Sequence, residues 1–220
     1  MKKTLVMTVI VVLALALQAS AAYYQWAGAG ADILWSTPAN WTGDYVAVSA
    51  ADTEIHMAGT LNKINTNDLA SPFILNKLYF SGNATTIGGA PLRFAGDDAF
   101  VYKGAGVNCI LENLVELSAP LTSSNVVGGN SIRFSGGIND NGHTLWCVNT
   151  GSGRDTYLGG ECNRSGTTVV FGVTGGGFVR LTSMTAPGSG PVALGSGARL
   201  YFGMTCVVQR VLVNADAEIQ

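Results

Sequence analysis

Few residues in this 220-residue chain have the type and spacing to do chemistry. Asp97-Asp98 is the one adjacent acidic pair. Sugar-cleaving enzymes use two carboxylates that flank one glycosidic bond. Neighbours on a strand face opposite sides, so this pair could serve one bond only from a turn. Gly96 makes a turn the expected setting, and an exposed loop is the plainer reading. Asp140-Asn141-Gly142-His143 sets a carboxylate three residues from a histidine. Asn139-Asp140-Asn141-Gly142 is a turn sequence, however, and no G-x-S-x-G elbow accompanies it. Gly151-Ser152-Gly153-Arg154-Asp155 has the form of a calcium loop, but one copy offers too few of the six to eight oxygens that calcium takes. Gly172 to Gly177 lacks the Lys-Ser/Thr of a phosphate loop. Arg93, Lys103 and Arg133 would share a face only if successive coils stacked. These residues assign no catalytic, metal or cofactor site.

Cys109, Cys147, Cys162 and Cys206 permit two disulfides with three possible pairings. Buried free thiols are the alternative. No C-x2-C pair occurs, and His56 and His143 are the only histidines, which argues against zinc. Trp26, Trp35 and Trp41 crowd into one short segment with Tyr23, Tyr24 and Tyr45. They read as an aromatic lid over a core, since each ring can bury about 150–250 Å². The functional alternative is a carbohydrate-contacting platform. Three N-glycosylation sequons, at Asn40, Asn83 and Asn163, are expected by chance in so polar a sequence.

The elements that would position these residues divide into three spans. Residues 1–22 carry the marks of a cleavable signal peptide. Lys2 and Lys3 precede an apolar run from Leu5 to Leu17, and Ala19-Ser20-Ala21 offers an A-x-A cleavage site. Thirteen helical residues span about 20 Å, short of the ~30 Å of a bilayer core. The chain is therefore expected to be exported, to the cell surface or beyond, with no transmembrane helix. Its 12 Lys+Arg against 14 Asp+Glu give no basic surface for nucleic acid.

Residues 23–60 form the expected aromatic N-terminal cap. Residues 61–220 read as β-solenoid coils that continue past Gln220. Short apolar or alternating bursts, among them Lys77–Phe80, Leu92–Phe94, Ser131–Phe134, Thr144–Val148 and Val207–Val213, predict strands. Gly and Asn clusters such as Gly88-Gly89 and Gly188-Ser189-Gly190 predict turns between them. A phrase recurs: Leu78-Tyr79-Phe80, Leu92-Arg93-Phe94, Ile132-Arg133-Phe134 and Leu200-Tyr201-Phe202, each followed by a small residue or glycine. The spacings are 14, 40 and 68. Forty suggests two coils of about twenty residues. The fold expected is all-β, a parallel β-helix; an antiparallel β-sandwich is the alternative.

Three features resemble bacterial surface and secreted proteins with autotransporter-associated β-strand repeats. Trp26-Ala27-Gly28, Trp35 and Asn40-Trp41 are similar to a W-x-G...W...NW opening. Lys77-Leu78-Tyr79-Phe80 leads into Thr86-Ile87-Gly88-Gly89 and Leu92-Arg93-Phe94. Ser189-Gly190-Pro191-Val192-Ala193-Leu194 runs into Gly197-Ala198-Arg199-Leu200, similar to an SG-x-V-x-L...G-x-L repeat. The resemblance implies a right-handed parallel β-helix at the cell surface, a structural or adhesive stalk without catalytic activity. Cell-surface or extracellular polysaccharide is the expected partner, and a polysaccharide-binding or polysaccharide-cleaving β-helix is the alternative. Four cysteines, irregular glycine spacing and the lack of a visible barrel or sorting motif depart from that pattern.

Overall fold

A computed structural model describes residues 21–104, 106–126, 129–151, 153–172, 176–186, 188–203, 205, 208, 210–213 and 217–220. Residues 1–20 of the expected leader and Cys206 lie outside them. The chain enters through β1 (Tyr23–Trp26) and then winds. The first circuit is β2 (Glu54–Met57), β3 (Ile64–Asn67) and β4 (Phe73–Leu75). The second is β5 (Lys77–Phe80), β6 (Thr85–Gly89) and β7 (Leu92–Phe94). The third is β8 (Ala99–Lys103), β9 (Cys109–Leu111) and β10 (Val115–Leu117), and the fourth is β11 (Leu121–Asn125), β12 (Ile132–Phe134) and β13 (Ile138–Asn139). Later circuits keep two strands each: β14 (Leu145–Asn149) with β15 (Thr156–Leu158), and β16 (Thr168–Gly172) with β17 (Val179–Leu181). Then come β18 (Val192–Leu194) with β19 (Arg199–Phe202), and β20 (Val211–Val213) with β21 (Glu218–Ile219). The result is a β-solenoid of about seven turns.

Stacking the circuits makes three sheets. Nine strands, β1-β2-β5-β8-β11-β14-β16-β18-β20, form one long flank. Eight strands, β3-β6-β9-β12-β15-β17-β19-β21, form the other, in parallel register. A third sheet of four, β4-β7-β10-β13, closes the triangle and stops after the fourth circuit. The strand ladders are parallel, which excludes the antiparallel sandwich. Glu54 pairs with Lys77 and Lys77 with Phe100, a step of 23 residues each time. The coil is thus somewhat longer than the twenty residues expected. The recurring phrase explains the difference. Leu78-Tyr79-Phe80 lies in β5 on the nine-stranded flank, Leu92-Arg93-Phe94 in β7 on the third sheet, and the other two copies in β12 and β19 on the eight-stranded flank. The phrase marks any inward-outward-inward strand rather than one position in the coil.

Alternation sets the core. The first and third residues of these short strands are buried and the middle one is partly exposed. In register, inward side chains build lanes along the axis: Ile55, Leu78, Val101, Ser123, Cys147, Val170 and Leu194 form one. Each fully buried Leu, Ile, Val or Phe contributes about 1.5–3 kcal/mol relative to exposure. Buried asparagines satisfy the corners. Asn113 donates to the Gly88 and Ala90 carbonyls at 2.8 and 2.7 Å, and Asn76 to those of Ala95 and Asp97 at 2.7 and 2.9 Å. Backbone groups that leave the ladder at a bend thereby keep a partner. Gly137 shows how tightly coils approach: its φ is +93°, and a Cβ there would stand 1.9 Å from the Glu161 carbonyl oxygen. Gly88 and Gly89, expected in a turn, finish β6 instead.

Candidate functional site

The sugar platform, the alternative to an aromatic lid, is closed. Trp26, Trp35 and Trp41 are buried, with relative exposures of 2%, 0% and 2%. Trp41 packs edge-on against Trp26 at 5.2 Å and Trp35 at 5.6 Å, and Trp35 against Phe73 at 5.3 Å. Their indole N–H groups bond to the Asn62 carbonyl, Asn65 Oδ1 and the Trp35 carbonyl. No ring face is left for a ligand, so these three plug the start of the core. β1 and β2, inside the 23–60 span, are already the first strands of the nine-stranded flank. The plug is therefore Trp26 at the end of β1 together with the loop that follows, with its two short 3-10 turns at Pro38–Asn40 and Thr42–Asp44.

Cys109, Cys147 and Cys162 are free thiols. Burial pushes Cys109 and Cys147 up to about 12 and raises Cys162 as well. A thiol so raised stays protonated and is a poor nucleophile. Cys206 lies outside the described residues. A groove of about 450 Å³ beside Cys162 is lined by Leu114, Gly136, Asn139, Glu161 and Thr185, and it falls where the third sheet ends.

Other expected candidates resolve into structure. Asp140 is buried; Oδ1 accepts from the backbone N–H groups of Gly142, Ser165 and Gly166, with Arg164 Nε 3.8 Å from Oδ2. It joins two circuits and does not act on His143. Asp155 accepts from the Phe178 N–H at 2.8 Å and from Arg180 Nε at 2.5 Å, so its carboxylate is spent on the next circuit rather than on calcium. Among the described residues no group of three or more His, Cys, Asp or Glu could hold a metal ion. Arg93, Lys103 and Arg133 do not share a face. Arg93 pairs with Glu116 at 2.6 Å on the third sheet, Lys103 points inward from β8 and is buried, and Arg133 lies outward on β12.

Asp97 and Asp98 are the exception. They line a cleft of about 260 Å³ with Gly96, Ala99, Ala119, Pro120, Thr122 and Trp146. Three local features place the pair. Gly96 and Asp98 take positive φ, +78° and +55°, which bends the chain just before β8. A Cβ on Gly96 would stand 2.3 Å from the Ala51 carbonyl oxygen, so only glycine lets the turn sit on the coil below. Asn76 holds the Asp97 carbonyl from within. Lys77 stands nearby; its hydrogen bond to Glu54 at 2.7 Å raises its pKa, helped by Asp98.

Register gives the cleft its floor. Phe100, Thr122 and Trp146 are partners on β8, β11 and β14, all facing outward. The next outward column reads His56, Tyr79, Tyr102, Ser124, Val148 and Phe171. β11 thus presents the Thr122 hydroxyl, with the buried Ser124 beside it, between strands that carry rings. Phe100 stacks with Tyr102 at 5.7 Å on one side, and Trp146 with Phe171 at 5.7 Å and 5° on the other. His56 continues the stripe between Tyr23 at 4.4 Å and Tyr79 at 4.2 Å. A cleft lined by the Thr122 hydroxyl, the Trp146 indole and two carboxylates can take a polyhydroxylated ring. Carboxylate oxygens accept from hydroxyls, and an indole packs against C–H surface. Both carboxylates come from one loop, and Ala119, Pro120 and Trp146 complete the lining.

Trp146 is the cleft residue that sequence reasoning missed. Its signal was alternation within Leu145-Trp146-Cys147-Val148-Asn149, which sets the indole outward. Among the described residues, no helix is long and apolar enough to cross a membrane. Comparison with protein-family models, with curated proteins and with solved structures finds no match to this chain.

Proposed function

We propose that the chain is a secreted or surface-displayed structural and adhesive module that holds polysaccharide on its nine-stranded flank. The observation that carries this reading is the cleft in which Trp146, Thr122, Asp97 and Asp98 converge beside an aromatic stripe. A rigid stack of coils suits the role, because a site built on strands keeps its geometry better than one built on loops. The leader-like start and the resemblance of Trp26-Ala27-Gly28 through Trp41 to surface repeat proteins support export. Affinity electrophoresis of the processed protein through gels containing neutral glucans, mannans or xylans tests the binding. Retardation by at least one polymer is expected, with loss in Trp146→Ala. Unretarded migration through every gel would overturn it. Asp97 and Asp98 in one cleft favour cleavage as a second reading. A reducing-end assay decides: released sugar that disappears in Asp97→Asn/Asp98→Asn would move the chain to the enzymes.

A further inference from the structure

The eight-stranded flank carries a different ladder. Arg133, Tyr157, Arg180 and Tyr201 are register partners on β12, β15, β17 and β19, one outward side chain per circuit. The Arg133 guanidinium lies 4.2 Å over the Tyr157 ring. Arg180 lies 4.8 Å from the Tyr201 ring, 4.8 Å from Phe178 and 5.8 Å from Tyr157. Arg199 extends the series, 3.9 Å over Phe178. Each guanidinium is anchored through Nε: Arg133 to Ser131 Oγ at 2.9 Å, Arg180 to Asp155 and Arg199 to Glu218 at 2.7 Å. The Nη atoms of Arg133 and Arg180 have no hydrogen-bond partner among the described residues.

Two features of this ladder need a partner to explain them. The first is charge. Three guanidiniums gather against two carboxylates, Asp155 and Glu218, on a chain whose formal net charge is −2. Arg133 is the one without a carboxylate, and it shares the Tyr157 ring with a second cation. The second is form. Ring stacking and the Nε bonds hold each guanidinium in a set orientation, and the planar fork of Nη donors suits a carboxylate or sulfate. Alternate strands in a sheet lie about 9.6 Å apart. That step is close to the length of an extended disaccharide, so a linear glycan with an acidic group on every second sugar would meet Arg133 and Arg180 in turn. The rings between them would take its sugar faces.

We infer that the outer face of the eight-stranded sheet is a docking strip for an acidic polysaccharide bearing carboxylate or sulfate groups, laid along the solenoid axis. The strip does not depend on the cleft of the other flank. The test uses the processed chain in affinity electrophoresis and titration calorimetry with polygalacturonate, dextran sulfate, uncharged dextran and duplex DNA. Binding to at least one acidic polysaccharide, weakening as salt is raised, is the expected result. Arg133→Gln/Arg180→Gln should lower that affinity by about tenfold or more, since each charge-assisted pair counts for one to two decades. Arg93→Gln, on the third sheet, should leave it unchanged, and Trp146→Ala should leave it unchanged while abolishing retention by neutral polymer. No binding to either acidic polymer overturns the inference. So does an Arg93→Gln loss equal to that of the double variant, which would mean diffuse attraction. DNA held as tightly as the acidic glycan, with the same dependence on Arg133 and Arg180, would overturn the assignment to polysaccharide.

Discussion

The four tryptophans fall into two regions that use one side chain in opposite ways. At the N-terminal end Trp26, Trp35 and Trp41 interlock edge to face, and every indole N–H finds an oxygen. On the nine-stranded flank Trp146 stands outward, half-exposed, stacked on a Phe171 that is itself 41% exposed. The difference follows from what a solenoid lacks at each place. Its flank is a finished sheet, whose inward lanes are already covered by the coil. Its first circuit has no circuit beneath it, so Phe73, Ile55 and Leu75 would meet water unless something large closed over them. Aromatic area is therefore structural at the end and available for binding along the side.

The plug carries the largest expected effect. Trp35→Ala removes the ring that joins Trp41 to Phe73 and leaves Asn65 Oδ1 without its donor at 2.7 Å. Asn65 Nδ2 is already a buried donor without a partner. A cost of about 3–5 kcal/mol in chemical unfolding is expected. Trp35→Phe keeps most of the volume and should cost far less. Polysaccharide retention by the folded fraction should not change in either variant. An unfolding midpoint for Trp35→Ala within about 0.5 kcal/mol of wild type would erase the distinction between the two regions.

That distinction was only half legible in the sequence. Lys77–Phe80 and Leu92–Phe94 could be read residue for residue, because bulky apolar residues flank a polar or Tyr position and turn residues follow. Ile64–Asn67, Thr85–Gly89 and Leu121–Asn125 could not, for a physical reason. Their inward positions include Asn67, Thr85, Ser123 and Asn125, polar side chains buried because they serve the coil corners or lie in a lane closed by its neighbours. Asn67, like Asn113, reaches a carbonyl of the neighbouring circuit, 23 to 25 residues away, and no short window contains that partner. The site suffered the same loss. Asp97 and Asp98 were visible as a pair in a turn, whereas Trp146 lies two circuits further along and reaches them only through the β8-β11-β14 register. Three tryptophans close together in sequence read as a lid, with sugar binding as the alternative, and closeness in sequence is what packing a plug requires.

Trp146→Ala sharpens the contrast from the other side. It should reduce neutral-polysaccharide affinity by about tenfold or more, since burying about 60 Å² of apolar surface between sugar and indole is worth about 1.5 kcal/mol. Its effect on stability should be small, about 0.5–1.5 kcal/mol, the size of one offset aromatic pair. Phe171→Ala should cost the same pair energy with a smaller loss of binding, since Phe171 stacks behind the indole rather than lining the cleft. If Trp146→Ala unfolds the chain as readily as Trp35→Ala, the flank indole is a core residue and the binding argument fails.

The smallest effect separates the regions by pH. His56 is the one titratable ring that changes charge near neutrality in the aromatic stripe, faced by Tyr23, Tyr79, Glu54 and Lys77. Burial lowers its pKa, and the nearby Glu54 charge opposes that shift. Its Nε2 is buried without a partner. The folded state therefore prefers neutral imidazole, and the unfolded chain binds more protons between the depressed folded value and about 6.5. The stabilisation this group provides is complete above that pH and is lost as pH falls through the folded value. Thermal midpoints should decline from pH 7.5 toward pH 5, ahead of carboxylate protonation, and His56→Phe should flatten that decline while keeping the stack. Plug variants, which remove no titratable group, should shift the whole curve down and leave its slope alone. A slope unchanged in His56→Phe would place the titrating group elsewhere.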